Sequence, residues 1–151
     1  MEDSASQTAT ARPGAPLLYW IIAVLAVLWN AFGGYDYTMT NLRDSAYLAN
    51  FPPEMMAMID AMPTWTRIAW AVGVWGAVVG SLLMLIRSRH AVTAFALSLL
   101  GLAVSTVHQV GTDMPASLET PVMRAMMLVV WVIAVGLLLY TWRMQKRGVL
   151  R

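Results

Sequence analysis

The sequence predicts an all-α protein: a membrane-spanning four-helix bundle with both termini cytoplasmic and a short interfacial helix in its first outer loop. Three observations carry that prediction. Hydrophobic residues make up 59% of the 151 positions and charged residues only 12%, a balance foreign to soluble domains. Four stretches hold no Lys, Arg, Asp or Glu: Leu17 to Gly34, Ile68 to Ile86, Ala91 to Thr112, and Ala125 to Trp142. A hydrocarbon core of about 30 Å needs roughly 20 helical residues at about 1.5 Å rise, so each stretch spans with help from its flanks. Finally, the basic residues segregate by loop, with Arg12, Arg87, Arg89, Arg143, Lys146, Arg147 and Arg151 on one side and Arg43, Arg67 and Arg124 on the other. The positive-inside rule then puts both termini and the Arg87 to His90 turn in the cytoplasm.

Residues Met1 to Pro16, rich in Ser, Thr, Ala and Pro without apolar periodicity, read as a disordered cytoplasmic tail (1–16). The transmembrane domain covers 17–142, with helices at about 17–37, 65–86, 91–110 and 122–142, and 143–151 is a basic cytoplasmic tail. The first apolar stretch is longer than a signal-peptide core of about 7 to 15 residues and follows an acidic leader, so it is expected to stay as an uncleaved helix. Gly33 and Gly34 are expected to loosen or end it, with Tyr35 and Tyr37 in the aromatic belt.

In the outer loop, Pro53 followed by Glu54 is a helix-start signal, and Met55, Met58, Ile59 and Met62 fall at i, i+3, i+4 and i+7. This predicts a short interfacial helix stopped by Pro63. Trp65, Arg67 and Trp70 anchor the start of the second span, and the brief Arg87-Ser88-Arg89-His90 turn makes the second and third spans an antiparallel hairpin.

Lipid is as apolar as leucine, so membrane helices associate through close approach and hydrogen bonds, and small residues mark the seams. Three stripes qualify: Ala23, Ala26, Asn30 and Gly33; Thr66, Ala69, Gly73, Gly76 and Gly80; and Ala94, Ser98, Gly101, Ser105 and His108. The fourth span has no comparable stripe and is expected at the edge.

Polar residues near the outer ends of these spans define a candidate outward-facing pocket, with Asn30, Asp36, Arg67, His108, Gln109 and Arg124 as its ligand contacts. Each has a structural alternative. Asn30 suits an interhelical hydrogen bond, His108 an interfacial contact with Tyr, Gln or water, and Arg67 and Arg124 snorkel to headgroups. A proton-linked role for His108 needs an acid such as Asp36 or Asp113 within reach. Nine of the twelve methionines lie at or beyond the outer ends, and thioethers are soft ligands that suit Cu(I). Met55, Met58 and Met62 with His108 are the candidate metal ligands, against the alternative that methionines simply fill irregular contacts. The chain has no cysteine, which removes disulfides and thiolate metal sites, and no cofactor is expected. Ser81, Ser98 and Ser105 stand in no nucleophile motif, and enzyme activity is not expected.

Trp29-Asn30, Tyr47-Leu48-Ala49, Pro53-Glu54, Met62-Pro63-Thr64-Trp65, the run Ala69 to Gly76, Ser98-Leu99 and the closing Arg147 to Arg151 together resemble a family of small four-helix bacterial inner-membrane proteins. Its members are often labelled sugar transporters. The resemblance implies a multi-pass inner-membrane protein, and with the outer polar pocket the expectation is a protein of unspecified activity that acts as a small-ligand binding or transport component. A non-catalytic accessory or assembly subunit of a larger membrane complex is the alternative, and a Met-rich Cu(I)-binding protein a third. Expected partners are the lipid bilayer and a homo-oligomer or larger complex, with no nucleic acid, because no basic face supports one.

Overall fold

The computed structural model describes residues 14–49, 51–112, 115 and 117–151, and it is helical throughout with no strand among the described residues. Four helices are long and apolar enough to cross a membrane: α1 (Leu17–Leu42), α4 (Thr64–Leu85), α5 (His90–Val110) and α6 (Pro121–Lys146). Two short helices, α2 (Ser45–Leu48) and α3 (Pro53–Asp60), lie in the link between α1 and α4. Large apolar side chains on all four long helices face outward, Leu28, Leu82, Leu100 and Leu128 among them. A water-soluble domain does not carry apolar surface on that scale, whereas lipid accepts it, so the chain is a multi-pass membrane protein by length, composition and surface.

Prolines and polar caps set the starts of these helices. Pro16 precedes α1 and Pro63 precedes α4, each in extended conformation, and Pro121 opens α6 with the Thr120 hydroxyl accepting from the Met123 amide at 3.2 Å. Two helices end on arginines in the left-handed region, Arg43 at φ 57° after α1 and Arg87 at φ 56° after α4. That conformation favours glycine by roughly 1–2 kcal/mol, so each arginine must be held there by other contacts. Arg43 forms an ion pair with Asp60 of α3. Arg87 donates from Nε to the Val149 carbonyl at 2.9 Å.

The closest approach in the bundle is between α4 and α5. A Cβ added at Gly101 would lie 2.5 Å from both the Ala69 carbonyl oxygen and the Gly73 nitrogen, so the two backbones touch and no side chain fits between them. Ser98 donates its hydroxyl to the Gly73 carbonyl at 2.5 Å across the same contact. Further along, Gly76 meets Ser98 and Gly80 meets the Phe95 ring. The predicted stripes on these two helices are therefore their mutual seam. α1 lies against α4 through Ala23, Ala26, Asn30 and Gly34, with a Cβ at Gly34 falling 3.3 Å from Val78. Gly33, expected in this stripe, has open space around it.

The expected weakening of α1 at Gly33 and Gly34 does not occur. The helix continues to Leu42 because Gly34 is pressed to α4 and because Tyr37, one turn on, stacks edge-on against Trp70 at 4.7 Å and Trp75 at 6.5 Å. α6 likewise runs past the expected end at 142 to Lys146. It packs on α5, and only 6% of its apolar stretch is buried against 22–28% in the other three spans, which puts it at the edge.

At the end of the bundle where α1 begins and α6 finishes, the interior is closed. Tyr19, Ala23, Met84, Ala91, Phe95, Met144, Val149 and Leu150 form one buried cluster. Tyr19 donates its hydroxyl to the Met84 carbonyl at 2.6 Å and stacks on Tyr140 of α6 at 6.3 Å. Gly148, at φ 71°, turns the chain back after α6. Residues 149–151 then run beside the α4–α5 turn, with the Arg89 amide donating to the Arg151 carbonyl at 2.6 Å and the Arg151 amide to the Arg87 carbonyl at 2.7 Å. Thus 149–151 is a strap docked on the bundle. The segment 1–13, expected to be a disordered tail, lies outside the described residues.

Gly101→Ala is expected to force α4 and α5 apart and to cost about 1–3 kcal/mol, in the range of overpacked cores. Gly136→Ala on α6, where an added Cβ meets nothing within 4 Å, is the neutral control. Thermal unfolding in detergent reads both, and a Gly101→Ala protein as stable as wild type would contradict the backbone contact.

Candidate functional site

The end of the bundle that carries the loops is built differently from the closed end. α3 is pinned there at its C-terminus from two sides: Arg67 on the first turn of α4 donates to the Ile59 carbonyl at 3.2 Å and the Asp60 carbonyl at 2.9 Å, and Arg43 pairs with the Asp60 carboxylate. These are carbonyls at the C-terminal end of a helix, where a cation interacts favourably, although the Ile59 carbonyl also accepts from the Met62 amide at 3.3 Å. Asp44 caps α2, accepting from the Tyr47 amide at 2.8 Å, and Tyr47 donates its hydroxyl to the Asp36 carboxylate of α1 at 2.5 Å. The link between α1 and α4 is thereby tied to α1, α4 and itself.

Held in this way, α3 forms one wall of a cleft of about 410 Å³ whose other wall is the end of α5. Glu54, Ala57, Met58, Ala61 and Met62 line one side, and His108, Gln109 and Thr112 face them, with Pro63 and Pro115 at the margins. The cleft-lining face of α3 is 54, 57, 58 and 61, the i, i+3, i+4, i+7 spacing of a single helical stripe. It is one step round the helix from the expected stripe of 55, 58, 59 and 62, so Met58 lines the cleft and Met55 does not, while Met62 reaches the cleft from beyond the end of the helix. His108 and Gln109 are half-buried, and the His108 ring meets Trp65 of α4 edge-on at 5.2 Å with the planes 79° apart.

The six expected ligand contacts therefore separate. His108 and Gln109 share the cleft. Asn30 is buried in the α1–α4 seam, near the middle of α1, and its Nδ2 makes no hydrogen bond among the described residues, so the interhelical bond expected of it is not made there through that group. Asp36 is engaged by Tyr47, Arg67 by the α3 carbonyls, and Arg124 by Glu119 at 3.0 Å in an exposed pair. None of these four lines the cleft. Asp113, the other acid considered for His108, lies outside the described residues. Ser98 and Ser105 hydrogen-bond backbone carbonyls at 2.5 and 2.9 Å, and Ser81 donates to the Val78 carbonyl at 2.8 Å.

Sequence reading missed Glu54, Ala57, Thr112 and Pro115 as cleft residues. The signal was available for Glu54, which precedes Met58 and Met62 by four and eight positions on the same face. For Thr112 and Pro115 there was none, because only the folded link brings them opposite α3.

Comparison with known protein families, curated proteins and solved structures finds no match.

The Tyr47 hydroxyl is pushed up to about 12, first by its hydrogen bond to Asp36 and then by desolvation and the Asp36 charge. Because the folded value exceeds the ordinary 10, the contribution of this contact is complete below pH 10 and is lost as pH rises through 12. In a spectrophotometric titration, Asp36→Asn is expected to move one tyrosine from about 12 back toward 10. An unchanged titration would contradict the contact.

Proposed function

We infer that this protein is a small-ligand binding or transport component of the bacterial inner membrane, with both termini cytoplasmic and the α3–α5 cleft opening to the outer side. One observation carries the reading: a cleft at the loop end with His108, Gln109 and Glu54 among its lining, on a bundle whose other end is closed by the Tyr19, Met84 and Leu150 cluster. Apolar walls with a few convergent polar groups are the ordinary make-up of a ligand site. The excess of basic residues at the closed end supports that end being cytoplasmic. The bacterial inner membrane and the transport label follow from the resemblance of the sequence to a family of small four-helix proteins.

An accessory subunit of a larger membrane assembly, or a homo-oligomer, is the second reading. The observation favouring it is the outer surface of α6, where Val122, Met126, Leu128 and Val132 are all exposed. Neither reading requires catalysis.

Two experiments address the first reading. The chain has no cysteine, so Ala57→Cys is a unique label on the exposed wall of the cleft. A membrane-impermeant maleimide is expected to modify it in intact spheroplasts, and modification only after lysis would invert the orientation. Ala57→Trp fills the cleft without touching the seams. Native mass spectrometry of protein purified in mild detergent is expected to show a small-molecule adduct on wild type that Ala57→Trp lacks, and identical spectra would remove the binding role.

A further inference from the structure

The cleft contains a donor set that selects among small ligands. Met58 on α3 and Met62, just beyond the end of that helix, supply two thioethers, and His108 supplies an imidazole from α5 on the opposite side. Glu54 adds a carboxylate one turn before Met58 on the same wall. Resting on the reading of this cleft as a ligand site, we propose that it binds a soft monovalent metal ion, Cu(I) or Ag(I), through Met58, Met62 and His108.

Three considerations lead there. The first is ligand chemistry. No group of three or more His, Cys, Asp or Glu is gathered among the described residues, so those residues form no closed zinc site. Thioether sulfur with imidazole is instead the donor set that soft ions prefer, and such ions accept few ligands. The second is co-location. Met58, Met62 and His108 come from two separate segments of the chain and line one cleft of about 410 Å³, so thioether and imidazole donors share a single cavity. The third is rigidity around a flexible donor pair. Arg43 and Arg67 pin the end of α3 beside Met62, and Trp65 meets the His108 ring edge-on, so the walls are fixed while the thioether arms swing. Glu54 offsets the charge of the ion without having to ligate it. Binding here is coordination alone, with no change in oxidation state.

Silver(I) nitrate in chloride-free buffer is the probe, because it needs no reductant. Titration calorimetry of the full chain in mild detergent is expected to show a single saturable site. In Met58→Leu/Met62→Leu, which conserves volume, affinity should fall by at least about 100-fold, beyond the roughly 10–100-fold that loss of outer-shell partners costs. His108→Gln should weaken binding as well, and Met55→Leu, outside the cleft, should leave it unchanged. Quenching of Trp65 fluorescence, read as the difference from Trp65→Phe, reports binding beside His108. No binding by wild type, or binding that the double leucine variant retains, overturns the inference. If silver fails while wild type still carries a small molecule that Ala57→Trp lacks, the metal assignment alone falls and the ligand cleft stands.

Discussion

Everything in this bundle is arranged around the contact of two backbones, at Gly73 of α4 and Gly101 of α5. In a membrane no hydrophobic force drives helices together, so association depends on van der Waals contact and interhelical hydrogen bonds. Removing both side chains at one crossing brings carbonyl and amide dipoles near enough for Ser98 to bond Gly73 directly. Such a bond is worth about 0.6 kcal/mol on average in this setting, so the larger share of the stabilisation comes from the close-packed backbones themselves. The α4–α5 hairpin is the rigid half of the molecule. α1 joins it through Gly34 and small residues, and α6 joins it chiefly at the closed end.

From that rigid pair the two ends diverge in character. Toward the termini, the side chains grow larger and fill the interior, and the 149–151 strap adds backbone hydrogen bonds to the α4–α5 turn. Toward the loops, α3 is held off α5 by fixed arginine contacts. The polar groups there are spent on geometry: Arg67, Arg43, Asp60, Asp36 and Tyr47 all satisfy one another or a helix end. What stays available is the smaller set facing the cleft.

Much of this was legible in the sequence, for physical reasons that differ by element. Span number followed from uncharged length. The α4 and α5 stripes were legible because glycine and serine at heptad spacing have few other uses in lipid. The α1 stripe was misread by one residue, since adjacent glycines carry no phase information and only Val78 decides between Gly33 and Gly34. The persistence of α1 past its glycines depends on Tyr37 meeting Trp70, a contact between residues 33 positions apart that no local propensity records. The strap was likewise invisible, because Val149 and Leu150 look like any short tail until Gly148 turns them onto the bundle. In the cleft, the face of α3 differs from the expected stripe by one helical step, and His108 lies on the lining opposite it. The arginines and Asp36 do not line it, because a charge near a membrane surface can satisfy a helix end as readily as a ligand.

Binding and transport place different demands on this architecture. A binding role requires only that the cleft admit its ligand, and the fixed walls favour that. Carrying a ligand onward requires a path past the Tyr19, Met84 and Phe95 cluster, and α4 and α5 cannot separate to provide one without breaking the backbone contact at Gly73 and Gly101. The α1–α4 seam is tied at both ends, by Tyr19 to Met84 and by Tyr37 to Trp70. The α5–α6 boundary is looser than the α4–α5 seam, with full burial on α6 reached only at Thr141 and Met144 near the closed end. Movement of α6 away from α5 would break the Tyr19–Tyr140 stack and the Met144 packing but leave the Gly73–Gly101 contact intact. The same exposed helix is the surface that a second membrane helix would cover.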